Sequence, residues 1–292
     1  MASISLPYYV DAATLPAGLP TLDEIESSQD VLVEQTGRKV VGVGQYYIVK
    51  YGRAVELMEG EIMLFLGQVT AVPVPRIYAL CKDPSNKKAY IVMERIAGKN
   101  LDIAWPSLSQ TQKDFIATRL RANFSELRKL PSPGGYCSVG KRPLLDNVFW
   151  TRDTVDTISG PFSTEAELND AMIEKYIFNN LPQKKANFYR RAFPSVLRGH
   201  PPVFTHGDFQ RKNVMVREVP RSGESEQEEC EYEPVIIDWE SAGWYLSYWE
   251  YSRALFACGG WRDDWSVWVD KILDPFLQEW AWVNMLLTEL WF

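Results

Sequence analysis

Hydrophobic and polar positions follow two different periods along this chain. Between Asp30 and Tyr51 the sequence DVLVEQTGRKVVGVGQYYIVKY holds three β-rich runs, broken at Gly37-Arg38-Lys39 and at Gly44-Gln45, which predicts a meander of antiparallel strands. From Glu56 to Gln68 the apolar residues Leu57, Met58, Ile62, Leu64, Phe65 and Leu66 recur among Glu59 and Glu61 at helical spacing. A helix is predicted there, stopped by Pro73 and Pro75. Two more strands are predicted, Arg76 to Leu80 and Ala89 to Glu94, separated by the turn-rich Lys82-Asp83-Pro84-Ser85-Asn86. Residues from 30 to 94 thus read as a small, mostly antiparallel lobe carrying one helix.

After Gly98 the texture becomes helical, with Ser109 to Leu130 and Thr164 to Phe193 around a Pro/Gly-rich loop, Leu130 to Pro143. Inside this second lobe the pattern predicts a β-like pair, Val203-Phe204 and Val214-Met215-Val216, and then Val235-Ile236-Ile237. The acidic stretch Ser222 to Glu233 between them reads as a solvated hairpin loop. Near the end, Trp265, Trp268, Val269, Ile272, Leu273, Phe276, Leu277 and Trp280 predict one amphipathic helix whose tryptophans face the core. The boundaries that follow are an N-terminal extension at 1–29, an N-lobe at 30–97 and a helical C-lobe at 98–292.

Composition narrows the picture. With 46% hydrophobic and 24% charged residues, a disordered or collagen-like chain is excluded. The 31 Lys plus Arg against 38 Asp plus Glu give a net charge of −7, the wrong sign for a nucleic-acid binder. Cys81, Cys137, Cys230 and Cys258 form no C-x-x-C pair, and His200 and His206 are the two histidines, so a structural zinc site is not expected. No basic n-region opens the chain, and no apolar run approaches the roughly 20 residues that span a bilayer. The expectation is a cytoplasmic protein with free thiols and no membrane partner; nothing in the pattern specifies an oligomeric state.

The chemistry is concentrated in Thr205 to Val216, THGDFQRKNVMV, where Asp208 and Asn213 stand five apart on a loop between two short strands. Another strand ends in Asp238 within IIDWESAG. An Asp placed five before an Asn, followed by an Asp at a strand end, is what phosphoryl transfer asks for: one carboxylate to orient the acceptor proton, an amide oxygen and a second carboxylate to hold Mg²⁺ against nucleotide phosphates. Upstream, Lys50 lies in the apolar run Tyr46 to Tyr51 and needs a partner if buried; Glu59 on the next helix is the choice, with Glu61 its rival. His206 reads as a structural hydrogen bonder, and Trp239 and Glu240 as packing and local hydrogen bonding. Trp244, Tyr245, Tyr248 and Trp249 read as core before acceptor platform. Gly135 to Lys141 has Walker-A spacing, but Arg142 replaces the metal-binding Ser/Thr and no strand precedes it. Asn123-Phe124-Ser125 fits a glycosylation acceptor by chance, given the expected compartment.

Lys50, Glu59, Asp208, Asn213 and Asp238 occur in the order of a bilobal kinase. With the stretches VVGVGQYYIVKYG, EGEIMLFLGQVTAVPVPRIYAL, AYIVMERIAGKNL, VFTHGDFQRKNVMV and VIIDWESAGWYLSYWEY, the chain resembles the aminoglycoside phosphotransferase (APH) and choline kinase-like family, in its fungal-type branch, from about residue 30 to 285. The resemblance implies an α+β, bilobal protein-kinase-like fold with ATP and Mg²⁺ in the cleft between lobes. It makes Asp208 the catalytic base, Asn213 and Asp238 the Mg²⁺ ligands and Lys50 the phosphate-binding cation. Glu59 is its salt-bridge partner, since it sits six residues before Phe65, as the family's glutamate sits before its aromatic. Met93-Glu94-Arg95-Ile96 matches the hinge, so backbone groups of Glu94 and Ile96 would meet the adenine and Met93 would line its pocket. The chain departs from the pattern in its nucleotide-covering turn, which has Gly37, Gly42 and Gly44 but Tyr47 in the last glycine's place, and in a short gap from Lys50 to Glu59. The implied acceptor is a small molecule; the negative charge and Glu250, Asp263 and Asp264 would suit a cationic one, and a solvated face accounts for these acids equally well. The rival readings are a catalytically silent nucleotide-binding or scaffold protein and a biosynthetic enzyme using the same cleft for other chemistry.

Overall fold

A computed structural model describes residues 4–219, 231–259 and 261–291. In chain order its elements are β1 (Tyr8–Tyr9), α1 (Leu22–Glu26), β2 (Val31–Gln35), β3 (Arg38–Val43), β4 (Tyr47–Gly52), α2 (Met58–Val69), β5 (Ile77–Lys82), β6 (Ala89–Glu94), β7 (Lys99–Asn100) and α3 (Leu101–Ala104). Then follow α4 (Gln110–Leu127), α5 (Asp156–Ser159), α6 (Glu165–Phe178), α7 (Gln183–Val196), β8 (Pro202–Thr205), β9 (Val214–Val219), β10 (Glu231–Ile236), β11 (Gly243–Leu246), α8 (Trp249–Ala257), α9 (Trp265–Ile272) and α10 (Leu277–Trp291). None of the helices among the described residues is long and apolar enough to cross a membrane.

The chain divides into two compact units, Met1–Ala104 with Val214–Glu240, and Trp105–Asn213 with Ser241–Phe292. The first is built on a six-stranded antiparallel sheet in the order β1-β5-β6-β4-β3-β2. Strand β4 is interior to the sheet and buried on nearly every residue. Tyr47, Val49, Tyr51, Tyr90 and Val92 form a core with Ile25 of α1, and Val10, Leu15 and Leu19 pack against it. The segment at 1–29 is therefore part of this unit, its short helix started by a Thr21–Glu24 capping box. A second sheet, β10-β9-β7, completes the unit.

The second unit holds α4 to α8, α9 and α10 around a core that includes Phe149, Phe162, Met172, Tyr176, Tyr189 and Trp249. Ser109 and Gln112 form a capping box at the start of α4, and Thr164 caps α6. Its two-stranded sheet pairs β8 with β11.

The fold differs from the sequence expectations at several places. Val203-Phe204 and Val214–Val216 do not pair with each other: β8 pairs with β11, and β9 with β10. That exchange also takes residues 214–240 out of the expected helical lobe and groups them with the first sheet. The helical stretch from Thr164 to Phe193 forms two helices, because the chain turns at Asn179-Asn180, with Asn180 at φ +59°, ahead of Pro182. The terminal amphipathic helix is also two, α9 and α10, parted around Pro275, which lacks the N–H a continuing helix needs. Of the acidic stretch read as a loop, 222–230 lies outside the described residues and Glu231–Glu233 belong to β10. Cys81, Cys137 and Cys258 are free thiols.

Candidate active site

Lys50 stands in β4 opposite Val40 of β3 and Ile91 of β6, and is 4% exposed. A buried ammonium survives only with oxygen partners around it. Three are present: Glu59 Oε2 at 2.6 Å, Asp238 Oδ1 at 2.9 Å and Glu240 Oε2 at 2.9 Å. Glu59 comes from the first turn of α2 and is itself buried. The helix comes close because its next residue is Gly60, where a Cβ would lie 2.2 Å from Leu80 Cδ2 of β5. The short connection from Lys50 to Glu59 is therefore no obstacle, and Glu59 is the helix carboxylate that reaches the lysine.

Asp238 and Glu240 follow the end of β10, with Glu240 inside the 3₁₀ turn Trp239–Ser241. Trp239 between them is fully buried and donates its indole N–H to Ile236 O at 2.9 Å, so the turn is pinned by its middle residue. Asp238 has φ +64°, a left-handed conformation that non-glycine residues adopt mainly at turns and functional sites. Burial works to lower the Lys50 pKa, but the three carboxylates outweigh it and hold the ammonium above its usual range. Burial pushes the Glu59 carboxyl up, against the pull of Lys50. Oxygens of Glu59, Asp238 and Glu240 lie within 4.8 Å of one another, gathered around the Lys50 ammonium; of the three, Asp238 is the hard-oxygen donor with accessible surface that the sequence assigned to Mg²⁺.

The second group lies on the loop after β8. Its backbone is tied to Glu250 of α8, whose carboxylate accepts the N–H of His206 at 2.6 Å and of Gly207 at 3.2 Å. Gly207 has φ +84°, and a Cβ there would stand 3.0 Å from Ser241 O. The ring nitrogen Nδ1 of His206 accepts the N–H of Asp208 at 3.2 Å. Phe209 is buried against Phe124 and Trp265, which leaves Asp208 as a partly exposed carboxylate. Asn213 donates its amide to Asp208 O and Oδ2, both at 2.8 Å; Gln210 donates to Oδ1; Lys212 Nζ lies 3.6 Å from Oδ2.

Lys50, Glu59 and Asp238 thus meet in the first unit, and Asp208 and Asn213 meet in the second. Met93 is buried near the end of β6, and Glu94 closes that strand, its N–H donating to Arg76 O at 2.8 Å. Ile96 lines a shallow cleft of about 500 Å³ with Gly44, Gln45, Arg95, Ala97 and Gly98.

Sequence reasoning passed over Glu240, read as packing, although its place two residues after Asp238 puts it on the same side of the Trp239 anchor. Arg38 was passed over as part of a strand break; its Nη1 lies 2.6 Å from Glu240 Oε2. Glu250 is corrected outright: a residue 1% exposed and bonded to loop amides does not meet an acceptor. Asp263 and Asp264 are each about half exposed, Asp263 paired with Arg211 and Asp264 accepting from the indoles of Trp105 and Trp268. Trp244, Tyr245, Tyr248 and Trp249 are all fully buried, as expected of core. The Walker-like Gly135–Lys141 forms a turn held by bridges to Phe162, Trp244 and Arg142.

Comparison with known proteins gives the geometry its context. No curated protein sequence matches the chain. Among solved structures, the streptomycin–ATP ternary complex of APH(2″)-IIa matches at TM-score 0.53 and 17% identity over 83% of this chain and 76% of that one. The aminoglycoside phosphotransferase APH(4)-Ia matches at TM-score 0.55 and 15% identity, covering 92% and 85%. ADP-bound APH(2″)-Ib matches at TM-score 0.55 and 15% identity, covering 89% and 78%. These show the expected α+β kinase-like fold. The model of the APH phosphotransferase enzyme family matches residues 38–285, and the chain belongs to that family.

Proposed function

We propose that the chain is an ATP- and Mg²⁺-dependent phosphotransferase that moves the γ-phosphoryl group to a hydroxyl of a small molecule in the cytoplasm. The observation that carries this reading is Lys50, a buried ammonium held by Glu59 at 2.6 Å and by Asp238 at 2.9 Å. A sheet interior accepts such a cation at a high desolvation cost, which a structural role alone does not need. Glu59 fixes the ammonium so that Lys50 presents a point charge to phosphate oxygens. Asp238 and Asn213 would hold Mg²⁺, which neutralises phosphate charge when bound. Asp208 orients the acceptor hydroxyl and takes its proton, and the loop that carries it is held by Glu250. Backbone groups of Glu94 and Ile96 would meet the adenine, and Met93 would line its pocket. Among the relatives, APH(2″)-IIa was solved with streptomycin and ATP, and APH(4)-Ia with hygromycin B and ADP. A cationic acceptor fits the half-exposed Asp263 and Asp264 and the charge of −7, and that charge argues against nucleic acid as partner.

A thermal-shift series with ATP, with and without Mg²⁺, followed by phosphate-release screening of a metabolite library, tests the reading. Asp208→Asn and Asp208→Ala are expected to lower turnover by roughly 10²–10⁴ while nucleotide binding is kept. Turnover unchanged in both variants removes Asp208 from the mechanism. Nucleotide binding without consumption across the library supports a silent scaffold instead.

A further inference from the structure

Arg38 opens β3 immediately after the turn at Thr36-Gly37, and none of the roles above uses its guanidinium. Its Nη1 lies 2.6 Å from Glu240 Oε2, the same oxygen that lies 2.9 Å from Lys50 Nζ. Its Nη2 donates to Gln35 Oε1 at 2.8 Å. One carboxylate oxygen therefore gathers two cations from adjacent strands. The turn that aims Arg38 is locked to the end of β4: Ala54 N–H donates to Gly37 O at 3.0 Å, and a Cβ on Gly52 would stand 2.1 Å from that oxygen. A quarter of the Arg38 side chain stays accessible, against 5% for Lys50.

We propose that Arg38 is a second phosphate-binding cation of the nucleotide site and that Glu240 holds it in position. The inference rests on the phosphotransferase reading above and adds a residue to it. Charge balance is the first argument. Lys50 and Arg38 face Glu59, Asp238 and Glu240, so the cluster carries one net negative charge, and one net positive charge with a divalent cation bound; without Arg38 the same sums are two negative and zero, so the metal-loaded site loses its net attraction for a polyanionic nucleotide. Shape is the second. A guanidinium presents a planar fork that grips two oxygens of a phosphate, where Lys50 offers a point charge. Position is the third. The covering turn lacks the full glycine pattern whose amides would cradle the phosphates, and Arg38 brings side-chain donors to that turn.

Titration calorimetry at fixed Mg²⁺ with ADP and with adenosine, on wild type, Arg38→Ala and Arg38→Lys, tests this. Arg38→Ala is expected to weaken ADP by about 10–100-fold, as loss of a charge-assisted pair does, and to leave adenosine unchanged. Arg38→Lys is expected to recover part of the ADP affinity, and it carries the test alone should the alanine variant not fold. An Arg38 variant that binds ADP as tightly as wild type overturns the inference. So does one that loses ADP and adenosine by the same factor, which marks a scaffold role. Wild type that binds neither ligand sinks the phosphotransferase reading and this inference with it; wild-type binding beside an indifferent Arg38→Ala sinks the inference alone.

Discussion

Glu250 is an acid whose place in the fold reverses what its charge suggests. Burial pushes its carboxyl above the usual range, while His206, Arg128 and the loop N–H bonds pull the other way. Its two oxygens serve two amides, His206 and Gly207, just ahead of Asp208. In Glu250→Gln one acceptor becomes an NH₂ facing an N–H, so one buried amide loses its partner. We expect a loss of about 1–3 kcal/mol in urea denaturation, with turnover falling as Asp208 drifts. Full stability and turnover would mean that the loop holds its shape without Glu250. At this scale the sequence was informative for Lys50 and Glu59, since a lysine in an apolar strand demands a carboxylate within reach. It gave Glu240 only a local role and Glu250 the wrong one, because their partners stand 190 and 44 positions away.

Strands and helices show where periodicity is sufficient and where it misleads. The meander β2-β3-β4 was legible because each strand is a β-rich run and each turn carries glycine. Its closure depends on Gly52, at φ +145°, packed on Gly37 O. Gly52→Ala asks for a strained backbone and an impossible contact together, and is expected to lower the urea midpoint by an amount equivalent to at least ~1–3 kcal/mol. A midpoint within error of wild type would show that the turn can move away, and with it Arg38. The tryptophan-rich C-terminal pattern runs on in the sequence across Pro275, but Leu277 beyond the break is exposed and α10 buries Val283, Leu286 and Leu287, so the spacing alone did not reveal the break.

The whole molecule buries an unusual set of phenols in its second unit. Burial pushes Tyr136 and Tyr176 up to about 12, and raises Tyr245 and Tyr248 well above the ordinary value of 10.0. A phenol whose pKa is higher in the fold stays protonated where the unfolded chain ionises. Its contribution is complete below pH 10.0 and is lost as pH rises towards 12. We expect alkaline unfolding in that window, with tyrosinate absorbance and the near-ultraviolet circular dichroism changing together. Tyrosinate formation near the ordinary value with unaltered dichroism would show the phenols open to solvent.

The order of the chemical residues, their residue types and the β-rich runs that flank them are properties of neighbours along the chain, and these the sequence determined by itself: the kinase-like class, Lys50 with Glu59, and the Asp208–Asn213 loop. Tertiary structure decided what depends on strand pairing and on turns between distant segments. It paired β9 with β10 and β8 with β11, grouped 214–240 with the first sheet, and set Glu240 between Arg38 and Lys50. Such contacts are fixed by register and backbone angle, as at Asp238 and Gly207, and no local pattern of hydrophobic and polar residues encodes them.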